Sequence, residues 1–292
     1  MFHERQVTGG DGAINLVEGP AAGPPLLFLH GVGRGWQDFT GLMTPLASRW
    51  QVLGIDFRGH GRSDRTAGKY LVRDYVRDAI AVARQINQPL VLYGHSLGAM
   101  VAGAVAAELG DQVRGAILED PPYHLFALGA DDTPIALFTL LRSVSGSQLS
   151  VGEVARHLAD SRVPAPGSPE GVRLGDLRDA TSIRMGAACL KRVDPTLWDP
   201  VLAGHWLSAL DASELLPRIK CPVLLLQGNV ELGGMVSATA GDEIERLIPD
   251  CIREHWQDAG HLIHNLLPER TLRVVGEFLE SIALDPSSFH CR

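Results

Sequence analysis

A serine between two glycines and a histidine near the far end of the chain are the residue types here that can act together on a carbonyl group. The serine lies in Gly94-His95-Ser96-Leu97-Gly98. An apolar run, 89–93, precedes it, and a run of small residues with helical character, 99–108, follows. Strand, sharp turn and helix with a serine at the apex make the G-x-S-x-G nucleophile elbow. The glycines are needed because side chains two residues to either side of the apex collide across the turn. At the head of a helix the backbone N–H groups are unpaired and the dipole is positive, so negative charge developing beside Ser96 is stabilised. The histidine is His261, in Asp258-Ala259-Gly260-His261, on the loop after the last strand-like run. A base there takes the Ser96 proton and returns it to the leaving group. His264 is the rival for that role; the Gly-His step at the loop start favours His261. A third piece is Leu26-Leu27-Phe28-Leu29-His30-Gly31-Val32-Gly33, a strand running into His-Gly-x-Gly. The loop after such a strand supplies a second oxyanion donor, so the N–H groups of Val32 and Leu97 are expected to face the oxyanion. His30 reads as a hydrogen-bonding structural residue.

These residues need a scaffold. Apolar runs bounded by turn residues recur at 13–18, 25–30, 51–56, 89–94, 113–120, 222–228 and 251–257. Several are near-continuous Val/Ile/Leu, as in strands buried on both faces of a parallel sheet. Helical patterns alternate with them at 37–48, 71–85, 97–109, 237–247 and 268–282. The alternation predicts an α/β fold, a mostly parallel sheet with helices on both faces. It breaks between 123 and 210, where helix-like stretches at 134–143 and 151–159 flank a Pro/Gly-rich loop at 163–169. That segment reads as a helical cap, 123–210, inserted into a core of 1–122 and 211–292. A cap over the strand C-termini walls the place where open α/β sheets bind ligands. Arg34 and Trp36, just past the oxyanion turn, and the cap aromatics Tyr123, Trp198 and Trp206 are the expected substrate contacts. An apolar pocket with few polar groups suits a small to medium hydrophobic ester or lactone.

Composition excludes several classes. The 292 residues are 45% apolar and 21% charged, with a net charge of −8 and no basic run, which argues against nucleic-acid binding. No apolar stretch reaches spanning length and the N-terminus is no secretory signal, so no membrane partner and a cytoplasmic location are expected. Cys189, Cys221, Cys251 and Cys291 lack metal-ligand spacing, and no H-E-x-x-H occurs. No metal or organic cofactor is implied. The partner expected is a small-molecule substrate; oligomeric state is not readable.

Together, His30-Gly31-Val32-Gly33, the stretch 56–64, Gly94–Gly98 and Gly260-His261 resemble the α/β-hydrolase superfamily, in its capped serine-hydrolase form of esterase and lactonase type. The resemblance implies an eight-stranded, mostly parallel sheet, a helical cap after strand 6, Ser–acid–His chemistry, and a structural turn at 56–64. That family usually carries its aspartate on the loop after strand 7, three residues past a glycine. Here that loop, 227–234, has no aspartate, and Glu231 stands at the expected offset. The alternative is Asp120, in Leu118-Glu119-Asp120-Pro121-Pro122 at the end of strand 6, a placement similar to that in haloalkane dehalogenases and a few lactonases. Both stay open, with Asp120 preferred; Glu119 is expected to point to the opposite face. A serine rather than an aspartate at the apex points to acyl transfer to water through an acyl-enzyme. Hydrolytic C–C cleavage, cofactor-free oxygenase or perhydrolase chemistry, and slow-turnover ligand binding are the alternatives on the same fold.

Overall fold

The structure, a computed structural model, describes residues 2–126, 135–165, 168–208 and 210–284. Pro134 and Cys291, both used above, lie outside the described residues. The strands are β1 (His3–Thr8), β2 (Ala13–Glu18), β3 (Pro25–Leu29), β4 (Gln51–Asp56), β5 (Leu90–His95), β6 (Val113–Glu119), β7 (Arg162–Ala165), β8 (Ser168–Arg173), β9 (Val223–Gly228) and β10 (Cys251–Trp256). Eight of them form one sheet in the order β1-β2-β4-β3-β5-β6-β9-β10. Only the β1–β2 and β2–β4 pairings in this sheet are antiparallel. β1 escapes the periodicity because it is an edge strand with a single buried residue, Val7.

The helices before β6 are α1 (Thr40–Leu46), α2 (Val72–Gln85) and α3 (Leu97–Leu109). Between β6 and β9 come α4 (Ile135–Val144), α5 (Val151–Asp160), α6 (Leu174–Leu177), α7 (Ala180–Leu190), α8 (Asp199–Leu202) and α9 (Ala212–Leu215). After β9 follow α10 (Ala238–Leu247), α11 (Ile263–Leu266) and α12 (Pro268–Leu284). The central strands are apolar almost throughout because both faces are covered. Leu26 and Phe28 of β3, with Val91 and Tyr93 of β5, turn toward α1 and α12. Leu27, Leu29, Leu90 and Leu92 turn toward α2 and α3. Helix α3 is rich in Ala, Gly and Val and buried from Leu97 to Ala106, so it lies close against the sheet without an exposed polar face.

The described residues of the Pro/Gly-rich stretch expected as a loop fall in two antiparallel strands, β7 and β8, instead. Its prolines and Gly171 hide it from strand propensity. The segment between β6 and β9 is tied to the stretch before α2 near its end. Asp194 accepts a hydrogen bond from the Tyr70 hydroxyl at 2.8 Å, and the Trp206 indole donates to the Tyr70 carbonyl at 3.0 Å. Asp56, at the end of β4, accepts from Asn15 Nδ2 and from the N–H groups of Trp36 and Arg62, so the 56–64 stretch ties three chain segments together. No helix among the described residues is long and apolar enough to cross a membrane.

Parallel register brings the strand C-termini into one row. Leu29 pairs with Gly94, Gly94 with Leu118, His95 with Glu119, and Trp256 with Gly228. The loops that follow β3, β5, β6, β9 and β10 therefore leave the sheet side by side, at the edge where α/β sheets bind ligands.

Candidate active site

Ser96 sits between β5 and α3 with φ 55° and ψ −116°, a backbone conformation that costs a non-glycine residue about 1–3 kcal/mol. The turn is held from both sides. The Ser96 N–H donates to the Glu119 carbonyl, and the Ser96 carbonyl accepts from Ala99 and Met100. A Cβ on Gly94 would run into the Gly98 carbonyl, and one on Gly98 into the Leu29 carbonyl. Both glycines are therefore required by close backbone approach. Ser96 is buried, yet its side chain makes no hydrogen bond among the described residues and lines a cavity of about 640 Å³. Val32 lines the same cavity from the loop after β3. The N–H groups of Val32 and Leu97 donate to no other group among the described residues, whereas Gly33 N–H is taken by His60 Nε2 at 3.0 Å. Gly31 lies against His95, whose Nδ1 a Cβ there would approach to 2.8 Å. The other ring nitrogen of His95 donates to the His261 carbonyl at 2.9 Å, which pins the loop carrying His261 against the elbow.

His261 also lines the cavity, and its Nδ1 lies 2.6 Å from Asp120 Oδ2. With the carboxylate as acceptor, Nδ1 carries the proton and Nε2 is left as the basic nitrogen. Asp120 is completely buried. Besides His261, its carboxylate accepts from the N–H of Gly228 at 3.2 Å and of Met235 at 2.7 Å. Its own N–H donates to the Leu226 carbonyl, and its φ is 48°. The loop after β9 thus supplies amide donors to the Asp120 carboxylate. Glu231 is exposed on that loop, in a turn capped by Asn229, and is not brought to His261.

Glu119 points away from Asp120, as alternation along a strand requires. It accepts from the Tyr93 hydroxyl at 2.6 Å and from His264 N–H at 3.0 Å, with His264 Nδ1 2.8 Å away. Asp38 lies 3.5 Å from His264 Nε2 on the other side of the ring and pairs with Arg34. Burial opposes charge on His264, but Glu119 and Asp38 outweigh it and push the imidazole up to about 9. Against the burial that would raise it, His264 and His95 hold Glu119 down at about 2. His264 is thus a buried cation between two carboxylates. His30 has a structural place too: its Nδ1–H donates to the Gly31 carbonyl, and its Nε2 accepts from Phe57 N–H.

Of the five side chains expected to meet substrate, the cavity wall contains Arg34 alone. Trp36 packs with Phe2, ring centroids 5.8 Å apart, on the α1 side of the sheet. Trp198 is fully buried behind the loop after β3: its indole donates to Ser145 Oγ, and its ring lies against Gly33. Trp206 is buried on Tyr70. The Tyr123 hydroxyl donates to the Met100 carbonyl beneath α3. Tyr123, Trp198 and Trp206 are buried packing residues, and Trp36 is half-buried on the α1 side of the sheet. The cavity is walled instead by aliphatic residues of α4, α5 and α7 together with Phe138, and by Arg178. Arg178 carries no local signature in the sequence.

The model of the α/β-hydrolase fold family matches residues 24–147. The 2-(acetamidomethylene)succinate hydrolase of Mesorhizobium japonicum is 30% identical, over 96% of this chain and 96% of its own. The pimeloyl-[acyl-carrier protein] methyl ester esterase of Methylococcus capsulatus is 28% identical, over 91% of this chain and 98% of its own. A crystal structure of E-2-(acetamidomethylene)succinate hydrolase has a TM-score of 0.77 at 27% identity, covering 96% of this chain and 100% of that one.

Proposed function

The chain belongs to the α/β-hydrolase superfamily and is an enzyme of that fold; from this premise we propose that it is a serine hydrolase, cleaving an ester, lactone or related acyl bond with Ser96, His261 and Asp120. The observation that carries the reading is the 2.6 Å bond from His261 Nδ1 to a buried Asp120, on a histidine that shares its cavity with Ser96.

His261 Nε2 takes the Ser96 hydroxyl proton as Oγ attacks the acyl carbon. The carbonyl oxygen becomes an oxyanion facing the Val32 and Leu97 N–H groups. Removing one such donor costs about 3–4 kcal/mol in an oxyanion hole. Asp120 fixes the ring orientation and stabilises the imidazolium. The tetrahedral species collapses: the bond to the leaving oxygen breaks, His261 returns the proton to it, and the acyl group remains on Oγ. A water then loses a proton to His261 and attacks the same carbon, and the acid is released with Ser96 restored.

A fluorophosphonate probe followed by mass spectrometry tests this. An adduct on Ser96 is expected, absent from Ser96→Ala and formed much more slowly in Asp120→Asn. An adduct at another residue would overturn the mechanism.

A further inference from the structure

Arg178 stands between α6 and α7, half-buried, on the wall of the cavity that contains Ser96 and His261. Among the described residues its guanidinium has neither an ion pair nor a hydrogen bond. The neighbouring Asp179 also borders the cavity, but it is committed elsewhere: its carboxylate accepts from Thr181 Oγ1 and Ser182 N–H at the start of α7. Arg34 reaches the same helix from the core. A Cβ on Gly186 of α7 would lie 3.0 Å from its Nη1. Arg34 is answered by Asp38, with Nε to Oδ2 at 2.8 Å. Burial and, after it, the Arg34 charge lower the Arg178 group to about 10, against Asp38, which raises it. Two guanidinium groups therefore stand on one cavity wall, and Asp38 pairs with Arg34 but not with Arg178.

A half-buried cation with no partner is costly in the empty site. It recovers that cost when a carboxylate offers paired, charge-assisted hydrogen bonds, for which the planar guanidinium is well shaped. The one guanidinium left without an ion pair is shaped for one carboxylate of a ligand. Leu137, Phe138, Leu141, Leu158 and Ile183 make the wall around it apolar, which suits a hydrocarbon body between the anion and the scissile group.

We propose that the substrate is an acyl compound bearing a carboxylate, which Arg178 and Arg34 hold while the acyl carbon lies at Ser96. This rests on the hydrolase reading and names its substrate class.

Two esters of matched length separate the cases: mono-p-nitrophenyl glutarate and p-nitrophenyl pentanoate, each corrected for its uncatalysed rate. The expected ratio of their kcat/KM values in the wild-type chain is at least ~10 in favour of the anionic ester. Arg178→Gln should reduce that ratio ~10–100-fold, and Arg178→Lys should recover part of it. A wild-type ratio near one, or a ratio unmoved by Arg178→Gln, overturns the proposal. A second arm needs neither turnover nor an Arg178 variant: calorimetry on Ser96→Ala should show glutarate binding and glutaramide binding at least ~10-fold more weakly. Equal affinity for the two also overturns it. Failure of the hydrolase reading looks different, as neither ester turning over and no fluorophosphonate adduct at Ser96, and in that case the calorimetric arm alone decides the anion site.

Discussion

Asp120 and Glu231 differ in what surrounds their carboxylates. Asp120 is buried, with donors from Gly228, Met235 and His261 on its two oxygens, so it has one orientation. Glu231 is exposed and would have to lose side-chain freedom to hold an imidazole. Asp120→Asn should lower kcat on a p-nitrophenyl ester by about 10⁴-fold, because an amide in its place favours the wrong imidazole tautomer. Glu231→Gln should change kcat by less than about 2-fold. Equal losses in the two variants would contradict the assignment of the acid. The sequence offered both carboxylates at family positions; it did not contain the β6–β9 adjacency that puts the Gly228 and Met235 amides around one of them. Arg34 and Arg178 were missed as a pair for a similar reason. They are far apart in the chain, so no basic run marks them.

At the scale of the element, the elbow is a strand and a helix forced together at a turn. The backbone of Gly98 nearly touches the Leu29 carbonyl of β3, so the α3 N-terminus is seated directly against the sheet. Gly98→Ala should destabilise the fold by about 3–5 kcal/mol, read as a lowered denaturant midpoint, since neither strand nor helix can retreat without opening the core. The strain at Ser96 makes a subtler prediction. Ser96→Gly should be more stable than Ser96→Ala by about 1 kcal/mol, because only glycine relaxes at φ 55°. The reverse order would mean that the turn carries no such strain. This element was legible in advance because its chemistry is local: five consecutive residues and the runs beside them specify it. β7–β8 was illegible because its pairing, not its composition, defines it.

Across the whole molecule, the Asp38–His264–Glu119–Tyr93 network joins the region before α1, helix α11, and strands β6 and β5 beneath the site. His264 is raised from 6.5 to about 9, so its contribution is complete below pH 6.5 and is lost as pH rises toward about 9. Glu119 is lowered from 4.5 to about 2, so its contribution is complete above pH 4.5 and is lost as pH falls toward about 2. The network therefore stabilises fully only between about pH 4.5 and 6.5. His264→Gln should cost about 3–5 kcal/mol at pH 6, because two buried carboxylates lose the cation between them. Melting temperatures from pH 6 to 9 should fall less steeply in that variant than in the wild-type chain; parallel curves would refute the network's role.

The chain by itself determined the α/β class, the mostly parallel sheet and the strand–turn–helix around Ser96, because hydrophobic period and glycine spacing act over neighbouring residues. Tertiary structure alone decided which carboxylate meets His261, which histidine is locked in a buried ion network, and that two arginines share a cavity that the expected aromatics Trp36, Tyr123, Trp198 and Trp206 do not line. Those outcomes depend on strand order and on how the inserted segment lies over the sheet. The contacts of His261 with Asp120 and of His264 with Glu119 and Asp38 join residues more than a hundred positions apart, and no local pattern pairs them.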